Sequence, residues 1–503
     1  MDEEKQREII TFLSRPDVHG IESRVEVIET HISRVFLAGA RVYKLKRAVK
    51  LPYVDFTDPN TRKHACEQEL ALNRRTAPDI YLQVSAITKA PDGTLAFDGE
   101  GVAVDWVVVM QRFDQDCLLD RLAQKPGALT RAQMEDLAES LFAFHDQAEV
   151  VKDRGGHDAS AEIARGNVEM LEKFGAGKFD ERKLSAQAQL TDEHLRRNAR
   201  LLDRRRDEGR VRRAHGDLHL RNIVLLDGRP TPFDCIEFND DFAIIDILYD
   251  LAFLLMDLDH RGLRDLANAV LNRTLDLTGD ADGLACLPLF LSMRAAVRAH
   301  VDATQGKFDE GKAYLDLALD YLTPKPVCLI AVGGLSGSGK SSLARLIAPG
   351  VGRAPGAVVL RSDATRKRLS GVGLYDKLPE KAYSKDMSDR VYERLLFDAE
   401  RALLDGHSIV LDAVHARYDE RDRAVNLAHK LEIPFAGLWL DVPLAIRQAR
   451  IGGRKRDVSD ATAEVAKAQD SYDLGPMDWQ VLDAGQDLES LTRQARAILQ
   501  SRL

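Results

Sequence analysis

The chain has little cysteine, little tryptophan and no long apolar run. Five cysteines (Cys66, Cys117, Cys235, Cys286, Cys328) are scattered through 503 residues, and none stands in a Cys-x-x-Cys pair. That spacing suggests neither a zinc site nor a disulfide framework, and the simplest location is a reducing cytoplasm. The most apolar stretch, Leu251 to Met256, is flanked by Asp250 and Asp257. It falls far short of the ~20 residues that cross a bilayer, so no membrane is expected as a partner. The opening run Met1-Asp2-Glu3-Glu4-Lys5-Gln6-Arg7 has no basic-then-apolar leader pattern. An excess of positive charge is missing too. The net charge of -9 argues against general nucleic-acid binding.

What is present is the balance of a globular protein, with 45% hydrophobic and 30% charged residues. The length predicts more than one core. Thr323-Pro324-Lys325-Pro326 marks the expected boundary, because two prolines in three residues stop a helix and favour an extended connection. Two domains, 1–325 and 326–503, follow from it. The first carries a net charge of -11 and the second +2, so the acidity belongs to the larger part.

In the second part, Gly334-Leu335-Ser336-Gly337-Ser338-Gly339-Lys340-Ser341 matches G-x-x-x-x-G-K-S/T at every fixed position. An apolar strand (Val327 to Val332) precedes it and a helix beginning at Ser342 follows. Glycines let backbone N–H groups turn inward around phosphate oxygens, and the helix N-terminus adds partial positive charge. Gly334, Ser336, Gly337, Ser338, Gly339 and Ser342 are therefore expected around the phosphates of ATP. Lys340 should reach the β- and γ-phosphates and Ser341 should hold Mg²⁺. Further strands end at Asp363, Asp412 and Asp441. Parallel strands present their C-terminal ends to the ligand crevice, which places Asp363 for proton abstraction, with Arg366 beside it, and Asp412 for Mg²⁺. The alternative role for each aspartate is a helix N-cap. Arg447, Arg450, Arg454 and Arg456 cluster on and beyond a helix starting near Pro443. Guanidinium groups on a lid would neutralise a transferring phosphoryl group, and Arg450 and Arg454 are the candidates.

The phosphate loop, the run Ser362-Asp363-Ala364-Thr365-Arg366-Lys367, and Arg454 followed by Asp457-Val458-Ser459-Asp460-Ala461 resemble the small P-loop kinases of the AAA type. That group includes gluconate kinases, zeta-toxin-like kinases and polynucleotide 5′-kinases. The resemblance implies that Asp363 serves as base and Arg366 grips substrate.

In the first part, His215-Gly216-Asp217-Leu218-His219-Leu220-Arg221-Asn222 fits H-x-D-x-x-x-x-N, the spacing of a kinase catalytic loop. Asp217 would orient and deprotonate an acceptor hydroxyl. Asn222 and Asp234, the latter following a strand and turn, would bind Mg²⁺. Val35-Phe36-Leu37 and Val42 to Lys46 read as a hairpin that places Lys44 and Lys46 on one face. Either lysine could pair with ATP phosphates, and Glu67 or Glu69 could be its ion-pair partner. Val107 to Met110 read as a strand entering a hinge, where backbone near Met110 would meet adenine.

The segment His215–Asn222, the run Phe233-Asp234-Cys235-Ile236-Glu237-Phe238, and Asp246 with Asp250-Leu251-Ala252-Phe253 resemble the aminoglycoside phosphotransferase-like kinases over about residues 20 to 320. No G-x-G-x-x-G loop precedes Lys44. Glu29-Thr30-His31-Ile32-Ser33 stands there instead, and phosphate grip would rest on Thr30, Ser33 and backbone groups. Together the two resemblances imply an α+β, bilobal, protein-kinase-like domain followed by an α/β P-loop kinase domain with a parallel sheet. They imply ATP- and Mg²⁺-dependent phosphotransfer to small-molecule hydroxyls. One half acting only as a nucleotide sensor, or the second half acting on nucleic-acid 5′ ends, are the alternatives.

Overall fold

The computed structural model describes residues 6–51, 54–453 and 457–502. The chain divides into two compact units. The first comprises Met1–Leu129, Ala143–Ala159 and Asp203–Leu251. The second comprises Thr130–Phe142, Ser160–Leu202 and Ala252–Leu503. This division crosses the 325/326 position, which falls in an irregular connection over 323–328.

The first unit is built on a six-stranded antiparallel sheet. Its strands lie in the order Glu26–Glu29, Ser33–Ala38, Arg41–Lys46, Val102–Gln111, Tyr81–Lys89, Leu95–Phe97. Alternation along the strands sorts two faces. Phe36, Leu45, Val107 and Val109 meet Phe12 and Leu13 of the helix Arg7–Leu13. Leu37, Val42, Val108 and Met110 face the other way, with Cys66 and Tyr81. The helix Pro59–Asn73 starts with Asp58, whose side chain accepts the Asn60 N–H, and Pro59 in its first turn. It is pinned to the sheet by buried Arg62, which donates twice to Asp105 at 2.9 Å, while Gln6 donates to the same carboxylate at 2.7 Å. Two short ladders, Ile223–Leu226 with Arg229–Pro232 and Val211–Arg213 with Ile244–Asp246, frame the loop His215–Asn222.

The second unit contains a five-stranded, all-parallel sheet. Its order is Val358–Arg361, Ile409–Asp412, Leu329–Gly333, Phe435–Asp441, Gln480–Asp483. The strand before the phosphate loop is central and buried throughout, as its unbroken apolar run requires. Helices Leu287–Thr304 and Phe308–Leu322 pack on each other. The segment Asp282–Thr304 is long and apolar enough by composition to cross a membrane, but most of it is buried within the unit as a core helix. The helix Arg264–Thr278 runs against the edge strand Val358–Arg361.

Candidate active sites

In the first unit, the hairpin places Lys44 and Lys46 on the same face, two residues apart, and both reach Glu69 of the helix Pro59–Asn73. Lys44 Nζ lies 2.7 Å from Glu69 Oε1 and 2.5 Å from Asp234 Oδ1. Lys46 Nζ lies 2.6 Å from Glu69 Oε2 and also pairs with Glu237. Burial alone would raise the Glu69 carboxyl, but Lys44 and Lys46 outweigh it and hold the group below the ordinary range. Burial likewise works against the Lys44 charge, and Asp234 and Glu69 more than offset it, so its pKa stands well above that of a free lysine. The two lysines differ in exposure. Lys46 is sealed at 0% side-chain exposure, whereas Lys44 opens toward Asp234, which is 40% exposed. Glu67 instead faces Lys63 on the exposed side of its helix.

Asp234 sits at a left-handed φ of 64°. Its N–H donates to Tyr81 Oη at 3.2 Å, and the next N–H, of Cys235, donates to Asn73 Oδ1 at 2.8 Å. These bonds hold an uncommon backbone conformation for a residue other than glycine. The catalytic-loop candidates also meet. Asn222 Nδ2 donates to Asp217 Oδ2 at 2.9 Å, and His219 Nε2 lies 3.3 Å from the same oxygen. His215 donates through Nε2 to Phe233 O at 2.9 Å; burial lowers its pKa, against the nearby Asp250 and Asp217 carboxylates. The backbone beneath is clamped by buried Asp250, which accepts the N–H groups of His215 and Gly216 and bonds His145 Nε2 at 2.9 Å. Asp246 is held by a two-pronged bond from Arg205. Met110 is buried in the sheet core next to the hinge, and the Arg112 N–H is engaged by Ala40 O. The turn joining the first two strands is closed on itself. Thr30 N–H donates to Ser33 O, and Ser33 N–H donates to Thr30 Oγ1.

In the second unit, the loop 334–341 joins the central strand to the helix Lys340–Ile347 and lines a cavity of about 1320 Å³. Three glycines take backbone angles that favour glycine: φ is 144° at Gly334, 85° at Gly337 and 96° at Gly339. A Cβ on Gly337 would stand 2.6 Å from Arg447 O. Ser336, Ser338, Ser341 and Ser342 all border the cavity, as do Asp363 and Asp412. Asp363 lies in the first turn of the helix Ser362–Leu369, and Asp412 ends its strand. Burial raises the Asp363 pKa; Arg361 opposes the shift and Asp412 adds to it. A carboxylate poised this way takes up a proton more readily than a surface aspartate.

The arginines divide. Arg450 is not on a free lid: it donates to Ser338 O at 3.2 Å and Ala484 O at 2.8 Å, bracing the loop. Arg447 is buried and donates to Val442 O and Ala466 O. Arg366 donates to Ala382 O at 2.8 Å and lies over the Tyr383 ring. Arg454 and Arg456 lie outside the described residues. Sequence reasoning passed over Gln469, whose Oε1 accepts the Ser336 N–H of the loop at 2.7 Å. It also passed over Glu139 and Arg273, which border the same cavity from helices N-terminal to residue 325. Glu139 accepts a 2.5 Å bond from Tyr375 Oη, and Arg273 pairs with Glu135 at 2.5 Å. No local spacing signals pairs this far apart in the chain.

Both sites offer oxygen donors of the kind Mg²⁺ takes: the Asn222 amide with the Asp234 carboxylate, and the Ser341 hydroxyl with the Asp412 carboxylate.

Residues 40–287 match the phosphotransferase enzyme family, and residues 329–473 match an AAA domain. The uncharacterized protein Rv2004c of Mycobacterium tuberculosis is 30% identical over 480 residues, covering 91% of this chain and 93% of its own. The uncharacterized protein Mb2027c of Mycobacterium bovis matches to the same extent. Among solved structures, a gluconokinase from Sinorhizobium meliloti is 22% identical and covers 35% of this chain and 93% of its own, with a TM-score of 0.25. A choline kinase from Cryptosporidium parvum is 12% identical and covers 63% of this chain and 94% of its own, with a TM-score of 0.39. The two matched domains are of kinase families, which in general use ATP. The chain belongs to the family of two-domain proteins in which a phosphotransferase domain resembling the aminoglycoside kinases is joined to a P-loop kinase domain.

Proposed function

We propose that the protein is a bifunctional kinase, with each domain passing the γ-phosphoryl group of ATP to a hydroxyl of a small molecule. One observation carries this reading: two separate sites each bring a candidate proton acceptor together with groups suited to phosphate and metal, Asp217 with Asn222, Asp234 and Lys44, and Asp363 with Lys340, Ser341 and Asp412. In each, the acceptor oxygen would attack the γ-phosphorus and form a P–O bond. The bond from that phosphorus to the β–γ bridging oxygen would break, and its electron pair would leave with ADP. The acceptor proton would pass to Asp217 in the first site and to Asp363 in the second. Mg²⁺, when bound, would neutralise charge on the β- and γ-phosphates. Lys44, oriented by Glu69, and Lys340 would hold those phosphates in line, so that catalysis rests on positioning and electrostatics. The near-neutral +2 charge of residues 326–503 favours small acceptors over a polynucleotide, whose backbone normally calls for a basic track.

Incubating the purified full chain with ATP and Mg²⁺ over sugars, polyols, aminoglycosides, nucleosides and oligonucleotides tests the reading. Phosphorylated small molecules are expected. Phosphate transfer to water alone, across the whole panel, would overturn it. The closed turn at Thr30–Ser33 favours one second reading, a first domain that binds nucleotide without turnover, because its N–H groups at 30 and 33 are taken up internally. Turnover that survives Lys340→Ala and disappears with Asp217→Ala would exclude that reading.

A further inference from the structure

Arg361 ends the edge strand of the parallel sheet and stands two residues before Asp363. Its guanidinium is only 4% exposed and lies between two buried carboxylates. Nη1 donates to Asp276 Oδ2 at 3.0 Å, and Nε lies 3.4 Å from Asp412 Oδ2. Arg361 and Asp412 belong to the matched AAA domain, but Asp276 belongs to the matched phosphotransferase domain. It lies near the end of the helix Arg264–Thr278.

That helix is fastened to the sheet by more than this pair. An edge strand leaves a row of N–H and C=O groups without a neighbouring strand. Here Asn268 Nδ2 donates to Ala357 O at 3.0 Å, and Asn272 Oδ1 accepts the Val359 N–H at 2.7 Å. Arg368 returns a bond to Asp276 O at 3.0 Å. The side-chain amides thus take the place of a sixth strand, and Asp276 arrives at Arg361 in a fixed position.

A buried guanidinium stays where its carboxylate partners hold it, because an uncompensated charge there is costly. With Asp276 taking the closer bond, Arg361 approaches Asp412 only at the longer distance. The Asp412 carboxylate is then left to serve a hard cation. Without the Asp276 charge, the same guanidinium would turn to Asp412 and Asp363 and compete directly with the metal.

We propose that Asp276, from the segment matched to the phosphotransferase family but within the same compact unit as the sheet, is a positioning residue for the P-loop site, which holds Arg361 back from Asp412 so that this carboxylate can bind Mg²⁺ with ATP. The inference rests on reading the second site as a Mg²⁺·ATP site.

The test is equilibrium binding of a fluorescent ATP analogue to the full chain, with and without Mg²⁺. The P-loop component is the part that Lys340→Ala removes. Asp276→Asn is expected to cut the Mg²⁺-dependent gain in affinity of that component by about tenfold or more, the usual scale for a residue that orients a metal ligand. Metal-free binding should stay the same. Adding Arg361→Met to Asp276→Asn should restore the gain, since the competing cation is gone; a purely structural role would leave the double variant as weak as the single. Where the single variant does not fold, Arg361→Met alone serves: it should keep the gain, and a tenfold loss would overturn the proposal. An unchanged gain in Asp276→Asn, or a double variant as weak as the single, would also overturn it. If Lys340→Ala removes no binding at all, the reading of the P-loop site itself fails.

Discussion

On the proposed reading, the two sites would hold phosphate in opposite ways. The first uses side chains gathered from distant stretches: Lys44 and Lys46, Glu69, and Asp234 with Glu237. The second would use backbone N–H groups of one short loop, shaped by glycines at 334, 337 and 339, with a single lysine at its end. A site made of paired charges is held in place by its own ion pairs and is vulnerable to loss of one charge. A site made of backbone is vulnerable to an added atom. The same contrast explains why the second could be read from one short run of residues, whereas the first had to be assembled from separate stretches, with Lys44 or Lys46 and Glu67 or Glu69 left open.

The largest expected effect separates the sites by chemistry. Asp217→Ala should lower phosphotransfer by the first domain on the order of 10³-fold, as loss of a positioned base does, and leave nucleotide binding at the P-loop unchanged. Steady-state rates with each phosphorylated product resolved would check this. Next in size is stability. Glu69→Gln removes the carboxylate that Lys44 and Lys46 share and leaves them only Asp234 and Glu237, which should cost about 3 kcal/mol, the low end for breaking a buried pair. Urea denaturation followed by a probe in the first unit would register the loss, and an unchanged midpoint would show that the cluster contributes no net stability.

Gly337→Ala should act on the second site alone. Both the left-handed φ and the 2.6 Å approach to Arg447 O oppose a Cβ. Strain of this kind costs about 1–3 kcal/mol, and the loop should move, weakening ATP binding there. Calorimetric titration with ATP should then lose the same component that Lys340→Ala removes.

The smallest effect concerns pH. Burial, with Lys340 and Arg421 nearby, lowers the His415 ring to about 3, and burial with Arg353 lowers His407 to about 4. An unfolded histidine titrates near 6.5. Below that value the unfolded chain binds more protons than the folded one, so each ring removes stability as pH falls, at about 1.4 kcal/mol per pH unit until its folded pKa is reached. The Glu69 shift runs in a different window. Its contribution is present above the unfolded value near 4.3 and fades as pH falls through its lower folded value. The second unit should therefore weaken between about pH 6.5 and 4.5; buried His215 adds a loss of the same sign in the first unit, while the Glu69 ion pairs hold. His415→Phe should flatten that slope by one ring's worth in midpoints measured across this range, and an unaltered slope would contradict the assignment.

Much of the fold was legible because periodicity and turn chemistry are local. The strands at 329–333, 358–361, 409–412 and 435–441 and the hairpin at 33–46 all fall close to their expected positions. The phosphate loop was legible because its chemistry requires glycines at fixed spacing. The roles of the arginines were not. Arg447 and Arg450 have the composition of a lid, yet both bond backbone carbonyls, Arg447 pairing with Asp470 as well, and nothing in residue type distinguishes those uses. Glu69 was separated from Glu67 only by helix phase. Asp276, Asn268, Asn272 and Glu139 were out of reach, because each acts on residues more than 80 positions away.

The central claim is that one chain holds two independent phosphotransfer sites. Its most direct test compares the ATP-dependent products of the wild type, Asp217→Ala and Lys340→Ala chains on one acceptor panel. Two distinct phosphorylated products in the wild type are expected, with Asp217→Ala losing one and Lys340→Ala losing the other. Products unchanged in both variants, or both products lost together in either one, would contradict it.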